Sequence, residues 1–194
     1  CCEPPVKVML EVCHPCKGKV PVEVCIPACC KGEPTRCYRD TLIGCGKTTY
    51  CRTEIDAARH AGLDVAGVLS PARFEQGVKV GIDALDLRSG ELRPLAHLRM
   101  AEAASDATGV VTQRWRFDAA TLAWANQALT TATPCDLLVV DELGPLELEQ
   151  GRGWTAGLAA IDTRAFDAAL VVVRHSLIAQ ALVRWPDADV TPIE

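Results

Sequence analysis

The sequence predicts an α/β fold, a three-layer sandwich with a mostly parallel sheet, preceded by a small cysteine-rich β module. Two short apolar runs, at residues 137–140 and 170–173, are typical of buried parallel strands. Strand-like and helix-like segments alternate beyond residue 40, which favours helices packed on both faces of one sheet. Before residue 40 the composition is different, so we expect a separate module there.

The overall composition limits the class of protein. The 194 residues suffice for one α/β domain and a small appendage, and 49% apolar with 23% charged residues excludes wholesale disorder. The net charge of −5 gives no basic footprint for nucleic acid, and no apolar run approaches the ~20 residues of a membrane helix. We expect a cytoplasmic protein without a membrane or nucleic-acid partner. The start at Cys1, without Met or a secretory signal, indicates a processed, fragmentary or fused N-terminus.

Cysteine, proline and charge divide the chain into residues 1–40 and 41–194. Eight of the 11 Cys and six of the 12 Pro lie in the first segment. Its six Lys/Arg and five Asp/Glu give +1, so the remaining 14 basic and 20 acidic residues give the second segment −6. We therefore expect a Cys/Pro-rich module followed by an acidic globular domain.

The module contains two strand-like segments, residues 6–12 and 20–26, in which charged and apolar residues alternate. A CxxC pair followed by glycine lies between them, and two adjacent cysteines further on could complete a tetrahedral Zn²⁺ site. The candidate Zn²⁺ ligands are Cys13, Cys16, Cys29 and Cys30, with Cys25 or His14 as alternates. Disulfide pairing, or no organised role for the thiols, remains open because a second CxxC is absent.

The segment Gly44-Cys45-Gly46-Lys47-Thr48-Thr49 predicts a phosphate-binding loop at the start of a helix. Such a loop needs backbone N–H groups turned toward the phosphates, a lysine for the β- and γ-phosphates and a hydroxyl for Mg²⁺. Lys47 and Thr48 fill the last two positions, and the N-terminal dipole of the helix would face the same anion. The helix should end before Gly62. Its expected buried residues are Cys51, Ile55 and Ala58.

Two features depart from a complete phosphate-binding loop. The full pattern has Gly six residues before the lysine, where this chain has Thr41. A buried strand should also lead into the loop, yet residues 32–40 are polar and turn-like. We therefore expect the first strand of the sheet to be missing or replaced.

The next segments predict a strand and an antiparallel insert. Residues 63–69 form the strand, and residues 78–87 and 91–95 flank a turn at Arg88-Ser89-Gly90. This hairpin could cover a nucleotide. Arg73 follows the strand and could contact phosphate, although a solvated loop arginine is the simpler interpretation.

The middle of the chain predicts a loop and a capped helix. Residues 101–114 are small and polar, and Asp118 is placed to accept a hydrogen bond from the first turn of a helix. The residues expected to face inward are Leu122, Ala125 and Leu129. We expect Trp115 and Trp124 to pack against the core or its edge, with base stacking as the alternative.

Residues 135–142 predict a buried parallel strand that ends in two acids, Asp141 and Glu142. The carboxyl end of such a strand is where ligands bind in open α/β sheets. Asp141 would hold Mg²⁺ through water, and Glu142 would polarise the attacking water. The alternative is a core strand that runs into an acidic turn.

The C-terminal part predicts further helices and strands. Helices are expected at residues 154–160, 164–169 and 176–183, and strands at 170–173 and 189–193. Arg174 follows the first of these strands and could stabilise charge on a γ-phosphate or form a structural ion pair. His175 is expected to begin the next helix rather than act as a base. Glu147 either fixes the loop after the acids or is exposed.

Three segments carry a resemblance to a known family. They are Gly44-Cys45-Gly46-Lys47-Thr48-Thr49, Gly67-Val68-Leu69-Ser70-Pro71 with Arg73, and Asp141-Glu142-Leu143-Gly144-Pro145-Leu146-Glu147-Leu148. With them the chain resembles the small P-loop nucleoside-triphosphatases first described from thermophiles, which have a human cancer-related relative. The resemblance covers about residues 44–194 and implies a P-loop NTPase-like sandwich. It also implies slow Mg²⁺-dependent hydrolysis of ATP, GTP and other triphosphates with loose base preference.

The resulting prediction is Mg²⁺-dependent hydrolysis of nucleoside triphosphates to diphosphate and phosphate. Lys47 and Arg174 would act on the phosphates, Thr48 and Asp141 would place Mg²⁺, and Glu142 would orient water. The alternative is a non-catalytic protein, in which a Cys-rich metal-binding or interaction module is fused to a degenerate P-loop domain. A small-molecule kinase is a third possibility, although the adjacent Glu142 favours water as the nucleophile. The oligomeric state is open.

Overall fold

The computed structural model describes residues 6–14, 18–26, 34–76, 78–99, 112 and 114–191, with side chains from Lys47 onward. The chain divides into two units, Cys1–Ile43 and Gly44–Glu194, and the boundary predicted after residue 40 falls within the first. The first unit contains the antiparallel strands β1 (Val6–His14) and β2 (Gly18–Ile26). Both strand predictions for this segment are confirmed.

Helix α1 extends from Pro34 to His60, which corrects the expected start of this helix. Proline is favoured at the first helical position because it has no backbone N–H and a helix needs no donor there, and no Gly or Pro interrupts residues 35–43. The expectation that no strand leads into the GKTT segment is confirmed, because residues 34–46 are helical instead. The helix ends before Gly62, whose φ of 79° is the left-handed conformation typical of a helix terminus.

Strands of the second unit form one mixed sheet. They are β3 (Val65–Leu69), β4 (Ala72–Glu75), β5 (Val78–Asp86), β6 (Leu92–Leu98), β7 (Trp115–Phe117), β8 (Cys135–Leu143) and β9 (Phe166–Val173). Their order is β7-β6-β5-β3-β8-β9, with β4 paired to β5. Strands β3, β8 and β9 are parallel, and the other pairs are antiparallel. The predicted α/β class and the β5–β6 hairpin are confirmed, with the parallel pairing confined to three strands.

Close approach of β3 and β8 depends on Gly67. This residue has a φ of 110°, and a Cβ at its position would lie 2.0 Å from the carbonyl oxygen of Val139. Only glycine fits both the backbone conformation and the space. The pairing of Val65 with Leu137 through Val68 with Val140 therefore requires glycine at this position.

Helices cover both faces of the sheet. In the described part of the chain, the other helices are α2 (Ala119–Thr130), α3 (Pro145–Leu148), α4 (Thr155–Asp162) and α5 (Ile178–Arg184), with a 3₁₀ turn at His175–Leu177. On one face, Cys51, Ile55 and Ala58 of α1 are buried with Val139. On the other, Leu138 and Val140 pack in the larger cluster with α2, α4 and α5. Strand β8 is thus buried on both faces, as the apolar run predicts.

The cap of α2 and its inward face are confirmed. The side chain of Asp118 accepts a hydrogen bond from the Thr121 N–H at 2.7 Å. Ala125 and Leu129 are buried, and Leu122 packs partly buried against the same cluster. Trp115 of β7 and Trp124 of α2 are partly buried and pack against the edge of that cluster.

Two secondary-structure predictions near the C-terminus are wrong. Residues 164–169 do not form a helix, because β9 begins at Phe166 and pairs with β8. Sheet pairing overrides the helix propensity of Ala168 and Ala169. Residues 189–191 are not a strand, and residues 192–194 lie outside the described part. Asp is disfavoured in strands, and Val190 is exposed rather than packed on the sheet.

Candidate functional site

The carboxyl ends of the three parallel strands meet at one edge of the sheet. Strand β3 is followed by Ser70, β8 contains Asp141 and Glu142 directly before its last residue, and β9 is followed by Arg174. The pairing of β8 with β9 shifts between Asp141 and Leu143, so Glu142 is the extra residue of a bulge. A bulge redirects side chains at the end of a ladder, and here both acids reach the same side chain of α1.

Lys47 joins the two acids. Its Nζ lies 2.9 Å from Asp141 Oδ1 and 2.7 Å from Glu142 Oε2. The side chain of Asp141 is fully buried, while those of Lys47 and Glu142 retain 16% and 28% of their exposure. The structure therefore brings together three residues that the sequence analysis placed in one site, although 94 residues separate Lys47 from Asp141.

Ser70 fixes the buried acid from the neighbouring strand. Its backbone N–H donates to Asp141 Oδ2 at 2.9 Å, and its hydroxyl donates to the carbonyl oxygen of Asp141. Both oxygens of the Asp141 carboxylate thus have a partner. In the sequence, Ser70 belongs to one of the segments that carry the family resemblance, without an assigned role. A signal for its role was its position directly after a buried parallel strand.

Arg174 contacts the other acid. Its Nε donates to Glu142 Oε1 at 2.8 Å, while Lys47 occupies Oε2. The structure therefore contains the ion pair that the sequence analysis considered for Arg174. Its predicted action on a phosphate stays a prediction. His175 begins the 3₁₀ turn that precedes α5, as expected.

Burial and the ion pairs act in opposite directions on the three charges. Burial opposes the ionised form of Lys47, but the two carboxylates outweigh it and raise the pKa of the ammonium. Burial raises the pKa of Asp141 above its ordinary value despite the Lys47 contact. For Glu142, burial is outweighed by Lys47 and Arg174, so its pKa is lowered and it stays ionised at neutral pH.

Glu147 holds the loop after β8. Its Oε2 accepts from the Gly144 N–H at 2.8 Å, and its Oε1 accepts from the Trp154 N–H at 3.0 Å. A Cβ on Gly153 would lie 1.8 Å from that Oε1, so only glycine leaves room for the carboxylate. Of the two interpretations of Glu147, the structure supports loop fixation, because the side chain is buried.

The predicted phosphate-binding loop has helical backbone throughout Gly44–Thr49, within α1. Interior N–H groups of a helix donate to the carbonyl four residues earlier, so they are not turned toward a ligand. Thr48 is half-buried and Thr49 is exposed. The expected helix N-terminus at this point is therefore wrong. Phosphate binding by the six residues Gly44, Cys45, Gly46, Lys47, Thr48 and Thr49 stays a prediction.

The other candidate side chains are mostly outside the site. Arg73 donates to Asp83 at 3.1 Å and forms an ion pair there. Cys51 is buried, and its burial followed by the negative charge of Asp141 raises the pKa of its thiol to about 12. For the predicted Zn²⁺ ligands, Cys16, Cys29 and Cys30 lie outside the described residues, as does the side chain of Cys13. The Zn²⁺ site stays a prediction.

Among the helices that the structure describes, none is long and apolar enough to cross a membrane.

Proteins named nucleoside-triphosphatase THEP1 from several organisms are similar in sequence to this chain. A nucleoside-triphosphatase THEP1 of Methanopyrus kandleri is 29% identical over 149 residues, which cover 74% of this chain and 78% of the relative. The THEP1 proteins of Caldivirga maquilingensis and Ignicoccus hospitalis are 28% and 30% identical over 106 residues. These alignments cover 55% of this chain and 57% of each relative, so the chain spans little more than half of their length.

A solved structure shares the fold. The solution structure of a human cancer-related nucleoside triphosphatase matches with a TM-score of 0.54 and 21% identity, over 73% of this chain and 80% of that one. A family model described as NTPase matches residues 41–183, which include Lys47, both acids and Arg174. Since this match covers most of the chain, the protein belongs to the NTPase family.

Proposed function

We propose that the chain hydrolyses nucleoside triphosphates to nucleoside diphosphate and phosphate, with Mg²⁺ and with loose base preference. The observation that carries the proposal is the convergence of Lys47, Asp141 and Glu142 at the carboxyl edge of the parallel strands. The relatives from three archaea that are named nucleoside-triphosphatases support the same activity.

The acids suit a divalent cation. Asp141 Oδ1 and Glu142 Oε2 both lie within 3 Å of one cationic atom, Lys47 Nζ, so they can face a shared positive charge. Carboxylate and hydroxyl oxygens are the ligands that Mg²⁺ prefers, and Thr48 adds a hydroxyl next to Lys47 in the chain. Asp141 and Thr48 would hold the ion, with Glu142 beside them. When bound with substrate, Mg²⁺ would neutralise charge on the β- and γ-phosphates.

Lys47 would bind a phosphate oxygen. An ammonium group has three N–H donors, and the two carboxylates account for two of them. Its raised pKa keeps the group charged at neutral pH. Lys47 would therefore donate its third hydrogen to a phosphate and keep that phosphate next to both acids.

Glu142 would orient the attacking water. Its carboxylate is ionised and half-buried, and it has further lone pairs beyond those that face Lys47 and Arg174. Because its pKa is lowered, the Glu142 carboxylate is ionised at neutral pH, so it can accept a hydrogen bond from water. Arg174 would hold the Glu142 carboxylate in place and supply positive charge near the reacting phosphate.

One observation favours the alternative of a domain that does not hydrolyse nucleotide. Backbone N–H groups of a phosphate-binding loop supply much of its grip on phosphates, and here residues 44–49 are helical. In that alternative, the ion pairs of Lys47 serve stability only. The same assay decides between the two functions.

The assay is phosphate release from Mg·ATP and Mg·GTP by the full chain. Release should fall by a factor of about 100 or more in Glu142→Gln, while nucleotide binding persists. Lys47→Ala should lose both release and binding. Glu149→Gln is the matched control, because it removes an exposed carboxylate near the end of α3. Equal release by the unmodified chain, Glu142→Gln and Lys47→Ala would contradict the proposed function.

A further inference from the structure

The first half of β5 projects past the site edge. Strand β3 pairs with β5 only through Val68 with Asp86 and Leu69 with Leu85. The earlier residues of β5 pair with β4 instead, which follows β3 in the chain. Since β5 is antiparallel to β3, its first residues extend beyond the carboxyl end of β3, on the side where Asp141 and Glu142 lie.

Lys79 lies on this projecting part of β5, opposite Phe74 of β4. Its Nζ is 5.2 Å from the ring centroid of Trp115, and the guanidinium carbon of Arg114 is 5.5 Å from the same centroid. Both distances are typical of cation–π contacts. Among the side chains that the structure describes, no carboxylate forms an ion pair with Lys79 or Arg114.

The charges of the site act on Lys79. Burial lowers the pKa of its ammonium, and the positive charges of Lys47 and Arg114 lower it further. The charges of Glu142 and Asp141 act in the opposite direction. Lys79 is therefore partly buried within electrostatic reach of the three residues that form the candidate site. An ammonium in this position gains more from an arriving anion than a solvated lysine would.

The balance of charge at this edge favours an anion. Lys47 and Arg174 face the two carboxylates, while Lys79 and Arg114 add two further positive charges. Among the described side chains neither of these two cations is in an ion pair, in a chain whose net charge is −5. Phosphate groups also need donors from side chains here, because the N–H groups of residues 44–49 lie within a helix.

We propose that Lys79 is a second phosphate-binding lysine, which contacts the phosphate chain of a nucleoside triphosphate while Trp115 holds its side chain in place. This inference rests on the proposed function for the identity of the substrate. Trp115 acts as a support for the cations rather than as a platform for the base, because Lys79 and Arg114 both lie against its ring.

The test compares Lys79→Ala, Lys79→Arg and the unmodified full chain. Binding of ATP and of inorganic tripolyphosphate is measured by calorimetry, and phosphate release from Mg·ATP is measured separately. Arg93→Ala is the matched control, because Arg93 also lies over a tryptophan, 4.4 Å from the Trp124 centroid, and pairs with Glu91. Melting temperatures show that each variant is folded, and Lys79→Gln repeats the test if Lys79→Ala is destabilised.

We expect Lys79→Ala to weaken binding of both ligands by about tenfold, the usual effect of losing one charge-assisted hydrogen bond. Lys79→Arg should restore most of the affinity, and Arg93→Ala should leave it unchanged. Loss of ATP affinity without loss of tripolyphosphate affinity would show contact with the nucleoside and overturn the proposal.

The assay also separates this proposal from the proposed function. Binding that depends on Lys79, without phosphate release, would support the phosphate-binding role of Lys79 and contradict hydrolysis. Phosphate release with equal affinities in the unmodified chain and in Lys79→Ala would support hydrolysis and overturn the proposed phosphate-binding role of Lys79. An unmodified chain that binds neither ligand would overturn both.

Discussion

Strand β8 and helix α1 each supply part of the candidate site, but they are held in different ways. Strand β8 has a paired strand on each side and helices on both faces, and its Asp141 is fully buried. Around Lys47, by contrast, helix α1 is half-exposed, and its first fully buried residue after Lys47 is Cys51. The acids are therefore placed by the sheet, whereas the lysine is placed by its contacts with the acids.

This difference matters for stability as well as for binding. A charge buried by a sheet needs a partner, and among the described residues Lys47 and the Ser70 N–H are hydrogen-bond partners of the Asp141 carboxylate. The same lysine would bind phosphate in the proposed function. One side chain therefore compensates the buried acid and serves the ligand, so a change at Lys47 should affect both properties.

The largest expected effect is the loss of stability in Lys47→Ala. Removing the lysine leaves the buried Asp141 charge without its ion pair, which should lower the free energy of unfolding by about 3 kcal/mol. Urea denaturation at neutral pH measures this. Arg184→Ala is the control, because it removes an exposed ion pair with Asp162 and should cost under about 1 kcal/mol. Equal losses of unfolding free energy in Lys47→Ala and Arg184→Ala would contradict the conclusion that the buried Asp141 of β8 depends on Lys47 of α1.

A smaller effect on stability is expected at the start of α2. This helix is capped by Asp118, a neighbour in the chain, and not by a contact with a distant strand. Asp118→Ala removes the hydrogen bond from Thr121 and should cost about 1 kcal/mol. That bond also lowers the pKa of Asp118, so its stabilisation is complete above the unfolded value near 4 and lost as pH falls through the folded value. Thermal unfolding from pH 2 to pH 7 should show the variant and the unmodified chain converging at low pH.

The smallest expected effect, with the opposite sign, is at Gly46. In the interior of a helix, Gly46→Ala should raise the free energy of unfolding by about 0.5–1 kcal/mol, because alanine loses less backbone entropy. Denaturant unfolding measures the sign. A loss of stability instead would indicate a non-helical backbone at Gly46, as a phosphate-binding loop requires.

The position of the two acids on β8 could be predicted from the sequence alone. Four apolar residues before Asp141 indicate burial on both faces, and this burial together with parallel pairing determines where the acids lie. The start of α1 was not predictable from the GKTT motif, because a helix extends until a capping or breaking residue ends it. Pro34 marked that start, but the polar character of residues 35–40 concealed it.

Contacts between distant strands are the other information that local patterns lack. The place of Lys79 depends on β5 pairing with β4 along one half and with β3 along the other. The short apolar segments around Lys79 predict a strand, but not which part of it passes the edge of the sheet. Similarly, only the pairing of β9 with β8 distinguishes Phe166–Val173 from the helix that its alanines indicate.

The pairing of β3 with β8 also bears on the order of folding. Val65 pairs with Leu137, 72 residues later, whereas Leu85 pairs with Leu92, only seven residues later. Closing a short loop loses less entropy than closing a long one, so the β5–β6 hairpin should form early and the parallel strands late. During synthesis, β3 must wait until β8 has left the ribosome. The contact of Lys47 with Asp141 is therefore expected among the last to form, and it can serve as a marker of completed folding.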